Sequence, residues 1–273
     1  MNKFDGILFC TDLDGTLFRD DKTVSKENLD AIEYFKSEGG YFTFVTGRMP
    51  FYATRTCELI KPNAPFGCVN GGGVYDAQKG EYIWNKPTPA HAVELMAFVD
   101  KEFPNVGMQI NTFYKTYFCK YNDTMRRFRS GTGLPDRRAH YYDVKEPIGK
   151  VIFGSDIDEE ILALRDALLA HPLAKDFDFI RSELTLYEIL PKGIGKGVAL
   201  SKIAEYLRVD ENKTIAIGDY NNDISMFRAA RYGIAVANAC QDALDAADLV
   251  TVSNEEHAIA RVISDIENGN IAL

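Results

Sequence analysis

No apolar run in this 273-residue chain approaches bilayer-spanning length, and the N-terminus shows no basic stretch leading into a long apolar core. A membrane anchor and a secretory leader are therefore not expected. The five cysteines, Cys10, Cys57, Cys68, Cys119 and Cys240, are odd in number and form no Cys-x-x-Cys pair. They fit reduced, mostly buried thiols in a cytoplasmic protein better than a disulfide framework. The four histidines lack metal-ligand spacing and are given no role. Acidic residues outnumber basic ones, 40 to 31, for a net charge of -9, so a general nucleic-acid or anionic-membrane surface, which needs basic patches, is not expected. There is no internal repeat and no low-complexity segment. The length suffices for a substantial core in one large domain or two.

Against that background, Asp12-Leu13-Asp14-Gly15-Thr16 stands out, because two carboxylates directly follow the apolar run Ile7-Leu8-Phe9-Cys10. Such a run reads as a buried strand, which puts the acids at its carboxyl end, where open α/β sheets bind ligands. Two further runs end in a similar way. Tyr41 to Val45 leads into Thr46-Gly47-Arg48, and Thr214 to Ile217 leads into Gly218-Asp219-Tyr220-Asn221-Asn222-Asp223. Three strands thus bring Asp12, Asp14, Thr46, Asp219 and Asp223 to one sheet edge. So many carboxylates repel one another unless a hard cation with oxygen ligands joins them, which points to magnesium. Alone, Asp-x-Asp-Gly is also a common turn. A calcium loop is excluded: counting from Asp12, Leu17 stands where Gly is needed and Thr23 where Glu is needed, and from Asp219 the same places hold Ile224 and Ala230.

Strand and helix patterns alternate at both ends of the chain. Ser25 can cap a helix with Leu29, Ile32 and Phe35 on one face and Gly39-Gly40 at its end, and Pro50 suits the start of a second helix reaching about residue 60. After Pro191 come a helix over 197–207, a strand over 214–217, a helix after Asn222, strands over 233–236 and 249–252, and a helix over 255–266. The fold class expected is α/β, with a doubly wound parallel sheet built from residues 1–83 and 189–273 as catalytic core. Residues 84–188 interrupt it as an inserted α+β cap, with helices over 91–101 and 158–170, strands near 106–110, 116–120 and 150–153, and a hairpin over 177–189. Pro87, Pro89 and Pro191 flank it as stiff hinge points.

These motifs in this order resemble the haloacid dehalogenase-like superfamily, and within it the Cof-type phosphatases with a large α/β cap. Asp12 to Thr16 is similar to the first motif, Thr46-Gly47-Arg48 to the second, Lys196-Gly197 to the third, and Gly218-Asp219 with Asn222-Asp223 to the fourth. Val69-Asn70-Gly71-Gly72 is similar to the turn ahead of the cap, with Gly72 where a small residue such as Ala is usual. The resemblance implies a Rossmann-type core and a magnesium-dependent phosphatase acting on small phosphorylated metabolites, with sugar phosphates the expected class. It implies Asp12 as nucleophile, forming an aspartyl-phosphate, and Asp14 as general acid and base. Magnesium would be held by Asp12, the Asp14 carbonyl, Asp219 and Asp223. Phosphoryl oxygens would meet Thr46, Gly47, Asn222, Lys196 and the Leu13 amide.

Lys196 also has an argument of its own. A cation opening a helix opposes the macrodipole, and a bound phosphate would remove that conflict. Lys192 competes for the role, but the following Gly197 and the helix favour Lys196. A phosphomutase would use the same acids and differ in transferring phosphate between sugar positions. A dehalogenase leaves Asp14 without a task, and a phospho-acceptor signalling module is a small single domain without so long an insertion. Arg126, Arg127, Arg129, Arg137 and Arg138 read as a solvated charged face or as a greeting for an anion. Tyr141 and Tyr142 read as packing or as pocket lining.

Overall fold

The computed structural model describes residues 2–273 and divides into two compact units, Met1–Asn85 with Gly195–Leu273, and Lys86–Ile194. In chain order the first unit begins with β1 (Leu8–Thr11), α1 (Lys26–Ser37), β2 (Tyr41–Phe44), α2 (Thr54–Ile60), β3 (Phe66–Cys68), β4 (Gly73–Asp76) and β5 (Glu81–Asn85). The inserted unit holds α3 (Ala92–Glu102), β6 (Gly107–Thr112), β7 (Thr116–Lys120), α4 (Asp123–Thr132), β8 (Ile148–Gly154), α5 (Asp158–Ala170), β9 (Phe177–Glu183) and β10 (Leu186–Pro191). The chain then returns with α6 (Lys196–Leu207), β11 (Thr214–Gly218), α7 (Ile224–Ala229), β12 (Tyr232–Ala235), α8 (Gln241–Ala246), β13 (Leu249–Val250) and α9 (Ala258–Glu267).

The first unit is the doubly wound α/β sheet that the alternation implies. Its strand order is β13-β12-β11-β1-β2, and every neighbouring pair is parallel. Residues alternate between faces along β1. Leu8 and Cys10 join Leu200, Ile203, Met226 and Phe227 under α6 and α7. Phe9 points the other way, with its ring 5.9 Å from Phe35 of α1 and 5.3 Å from Phe42. Both faces being covered explains why these strands read as continuous apolar runs. Ser25 caps α1, accepting a hydrogen bond from the Asn28 amide at 3.2 Å. Asn28 is itself buried and accepts from the Ala260 amide at 3.0 Å, which ties α1 to the start of α9.

Some elements escape pattern reading. β3, β4 and β5 form a small antiparallel sheet. β3 spans three residues and β5 buries none of its own, so neither forms the uninterrupted apolar run that marks β1 and β11. The helix expected from Pro50 opens as a 3-10 turn, Pro50–Tyr52, before α2 begins. α4 buries only Thr124 and Met125, so its polar sequence carries almost no apolar stripe. It carries part of the arginine cluster: Arg126 pairs with Asp123 and Arg127 with Asp156, as on a solvated face. Tyr141 is core, whereas Tyr142 is exposed. All five cysteines are free; Cys10 and Cys68 are buried and the other three partly so.

The inserted unit has a five-stranded antiparallel sheet in the order β7-β6-β8-β10-β9. One face of it supplies Met108, Ile110, Val151, Phe153, Tyr187 and Ile189 to an apolar core shared with Leu95, Val99, Ile161 and Leu164 of α3 and α5. No helix among the described residues is long and apolar enough to cross a membrane.

α6 and α7 pack so closely that a Cβ added at Gly197 would lie 2.1 Å from the Ser225 carbonyl oxygen. Backbone cannot yield as a side-chain tip can, so Gly197→Ala must push the helices apart. The expected loss is about 1–3 kcal/mol. Thermal unfolding would show it as a lower Tm, and an unchanged Tm would mean that the helices separate freely.

Candidate active site

Parallel pairing aligns the ends of three neighbouring strands, with Thr11 opposite both Phe44 and Ile217. The loops carrying Asp12 to Thr16, Thr46 to Arg48, and Asp219 to Asp223 therefore leave the same sheet edge. The Asp12 amide donates to the Ile217 carbonyl at 2.9 Å, extending the ladder by one residue and holding the aspartate at the strand terminus. The Leu13 carbonyl then accepts from Phe18 at 2.8 Å, and the chain turns. Gly15 makes that turn at φ +77°, and a Cβ there would lie 2.4 Å from Asp219 Oδ2. Only glycine suits both constraints.

At the centre stands Lys196, the first residue of α6. Its Nζ lies 2.7 Å from Asp12 Oδ1 and 2.5 Å from Asp223 Oδ1, and the lysine is 2% exposed. The conflict between a cation and a helix N-terminus is thus offset by two carboxylates. Asp223 is fully buried, and its other oxygen accepts from the amides of Asp219 at 3.0 Å and Tyr220 at 3.1 Å. Asp219 accepts from the Thr16 hydroxyl at 3.1 Å. Carboxylate oxygens of Asp12, Asp219 and Asp223 lie within 4.8 Å of one another. Three carboxylates against one ammonium leave two formal negative charges in an all-oxygen donor set, and a hard divalent cation fits both.

The electrostatics show the same imbalance. Burial pushes the Asp12 carboxyl up to about 7; Lys196 opposes this, and the charges of Asp223 and Asp219 add to it. Asp219 is pushed up to about 6, by burial and then by Asp223. For Lys196, burial pulls the other way, but Asp12 and Asp223 more than compensate and keep the ammonium charged.

The Asp14 carboxylate stands outside this group. It is bound by Arg48 Nη2 at 2.6 Å and by Lys22 Nζ at 3.2 Å, and remains partly exposed. Thr46 is buried; its hydroxyl accepts from the Arg48 amide at 3.3 Å, and its carbonyl from Asn70 at 3.3 Å. At Gly47 a Cβ would approach Asn70 Nδ2 to 3.2 Å. Asn222 Oδ1 is shielded from solvent and has no hydrogen-bond partner among the described residues, which leaves it available to a ligand. Arg48 is the residue that sequence reading passed over: it stands inside Thr46-Gly47-Arg48, but only the fold brings it to Asp14. Asn238 was equally unmarked, and its Nδ2 donates to the Gly15 carbonyl at 2.8 Å.

The sequence profile of haloacid dehalogenase-like hydrolases matches residues 9–263. The chain belongs to this family. Among the family's curated members, it is 26% identical to a Bacillus subtilis 5-amino-6-(5-phospho-D-ribitylamino)uracil phosphatase, YitU, over 94% of this chain and 96% of the relative. It is 28% identical to the putative phosphatase YxeH of the same organism, over 95% and 97%. A haloacid dehalogenase-like hydrolase from Bacteroides thetaiotaomicron superposes with a TM-score of 0.84 at 22% identity, over 95% of this chain and 99% of that one. The TM0651 protein of Thermotoga maritima gives 0.83 at 25%, over 94% and 96%. With its aspartate cluster in place, this member of the haloacid dehalogenase-like hydrolases is a phosphoric monoester hydrolase.

The raised carboxyls set a pH dependence. An unfolded chain releases both protons near pH 4, so between about pH 4 and 7 the native state holds more protons, and these two groups subtract stability as pH rises. A divalent cation competes with the same protons. The rise in Tm on adding magnesium should therefore be small at pH 5 and larger at pH 8. An equal rise at both would show that Asp12 and Asp219 do not titrate in this range.

Proposed function

We propose that the enzyme is a magnesium-dependent phosphatase of small phosphorylated metabolites, sugar or polyol phosphates in particular, working through an aspartyl-phosphate on Asp12. The observation that carries this reading is the group of buried Asp12, Lys196 and Asp223 with half-buried Asp219, which holds a carboxylate at a strand terminus beside a fixed ammonium. The ribitylaminouracil phosphatase relative, whose substrate bears its phosphate on a polyol chain, supports the substrate class.

In this reading the Asp12 carboxylate attacks phosphorus in line with the departing oxygen, which splits one difficult hydrolysis into two steps. Lys196 fixes the orientation of Asp12, because Nζ already engages Oδ1 and leaves the other oxygen to react. Asp14 donates a proton to the leaving oxygen and then accepts one from the water that cleaves the acyl phosphate. Its position outside the carboxylate cluster suits this work. Arg48 and Lys22 hold it in place, and its partial exposure lets the proton exchange. Thr46, Gly47, Asn222 and the Leu13 amide would bind the phosphoryl oxygens.

Asp12, Asp219, Asp223 and the Asp14 carbonyl would hold magnesium, which when bound would supply positive charge to offset the repulsion of the carboxylates and a phosphoryl group. In the same reading the first unit is the catalytic core, and the inserted unit is a cap that selects the non-phosphate part of the substrate.

Release of phosphate from an aryl phosphate should require magnesium and stop with excess chelator; equal rates in both conditions would remove the metal from the reading. Asp12→Asn should abolish turnover and phosphoryl labelling of the protein. Asp14→Asn should slow a sugar phosphate by roughly 10²–10⁴-fold but an activated aryl ester far less, since a good leaving group needs little protonation. If Asp14→Asn slows both substrates equally, the acid role belongs elsewhere.

A further inference from the structure

Asp14 is followed by a strap, residues 15–23, that has no helix and only an isolated bridge joining Phe18 to Asp14 itself. The far end of the strap is a tight turn, in which the Arg19 amide donates to the Thr23 carbonyl and the Lys22 amide to the Arg19 carbonyl, each at 2.9 Å. Lys22 stands there in the left-handed region at φ +64°, which residues other than glycine seldom occupy, and from it the ammonium reaches Asp14. The strap thus returns to the residue it started from. Where Asp14 sits depends on what holds the strap.

Two asparagines hold it, 223 and 236 residues away along the chain from the carbonyls they meet. Asn238, in the loop after β12, donates from Nδ2 to the Gly15 carbonyl at 2.8 Å and accepts at Oδ1 from the Asn254 amide at 2.9 Å. Both partners are backbone groups, one an acceptor and one a donor, so only this orientation of the Asn238 amide satisfies them. Asn254 follows β13 and is 3% exposed; its Nδ2 donates to the Phe18 carbonyl at 3.1 Å and to Asp20 Oδ1 at 3.3 Å. The next residue, Glu255, accepts from the Asp20 amide at 2.9 Å. The strap is therefore fastened at Gly15, the chain neighbour of Asp14, and at Phe18, its bridge partner.

We infer that Asn238 and Asn254 are positioning residues for Asp14, fixing the backbone from which its carboxyl delivers a proton; the inference rests on the phosphatase reading above. The pairs with Arg48 and Lys22 orient the carboxylate, but pairs as exposed as these contribute little rigidity. The backbone beneath is held by the two amides. Asn238 is itself exposed, so packing places no demand on it, whereas bonding does: the position requires a donor toward Gly15 and an acceptor toward Asn254. A Gly15 or Phe18 carbonyl released from its asparagine can turn to water and carry the strap with it. Asp14 then keeps its carboxyl and loses its aim, and proton transfer tolerates little misplacement.

The test uses the full-length enzyme with magnesium and two esters of like shape, phenyl phosphate and 4-nitrophenyl phosphate, which differ chiefly in how far the leaving oxygen needs a proton. Asn238→Ala and Asn254→Ala should each lower kcat for phenyl phosphate by about tenfold with KM nearly unchanged, and kcat for 4-nitrophenyl phosphate by about twofold or less. Once Asp14 is replaced by asparagine, neither substitution should slow phenyl phosphate further, because both act through the same group. Equal losses on the two esters, or full additivity with Asp14→Asn, would overturn the inference and mark the asparagines as structural. Asp14→Asn alone separates the two readings. If it slows phenyl phosphate selectively while the asparagine variants do not, only the inference falls; if it slows both esters equally, the acid role falls and the inference with it. Should buried Asn254→Ala fail to fold by circular dichroism, Asn238→Ala at its exposed position decides by the same measurements.

Discussion

An ammonium buried between two carboxylates is the constraint on which the rest of the first unit depends. An isolated buried charge is untenable, and Lys196 is tolerated only because Asp12 and Asp223 reach it from different strands. For all three to meet, β1 and β11 must be adjacent and in register, and α6 must begin where Lys196 stands. Small residues enforce that start. A Cβ at Gly71 would collide with the Gly195 carbonyl at 2.0 Å, and one at Gly197 with that of Ser225. The glycines around the lysine are therefore packing requirements of the charge cluster, and the sequence distance between Asp12 and Lys196 is closed by the sheet.

The same constraint separates two aspartates that stand two residues apart. Asp12 turns toward the buried ammonium and shares its surroundings with Asp219 and Asp223, whereas Asp14 meets Arg48 and Lys22 at the surface. Side chains at such spacing after a strand end need not point the same way once a glycine in the left-handed region follows, and Gly15 provides that turn. One carboxylate is thereby dry and fixed; the other is partly exposed and paired with two cations. Different environments are what allow two like groups to take on different chemical tasks.

How far the sequence discloses this depends on whether a feature is local. β1, β2 and β11 are legible because strands buried on both faces are uninterrupted apolar runs, and α1 because Ser25, its apolar face and Gly39 all agree. The helix expected over 158–170 coincides with α5, since its apolar residues recur at helical spacing. By contrast β3 is too short to show a pattern, β5 buries none of its residues and so has no apolar run, and α4 is polar on nearly every side. Within the site, the aspartates are legible by their position after strands. The pairing of Arg48 with Asp14 is not, because 34 residues separate them and no spacing rule connects a loop after β2 to one after β1.

The inserted unit carries the same lesson in its sheet. Alternation along β6 and β8 shows one apolar row, Met108 and Ile110, Val151 and Phe153, which settles on α3 and α5. In an exposed sheet the other row, Gln109 and Asn111 with Lys150, would be hydrated and energetically neutral. Here it is buried, so each polar atom requires a partner within the protein or from a ligand. Glu188 and Thr116 meet most of that requirement, and the chain could have met the remainder with a leucine at 109. Replacing a buried polar network by apolar residues of like size is often neutral or stabilising. Stability alone therefore does not account for a glutamine at the centre of this face.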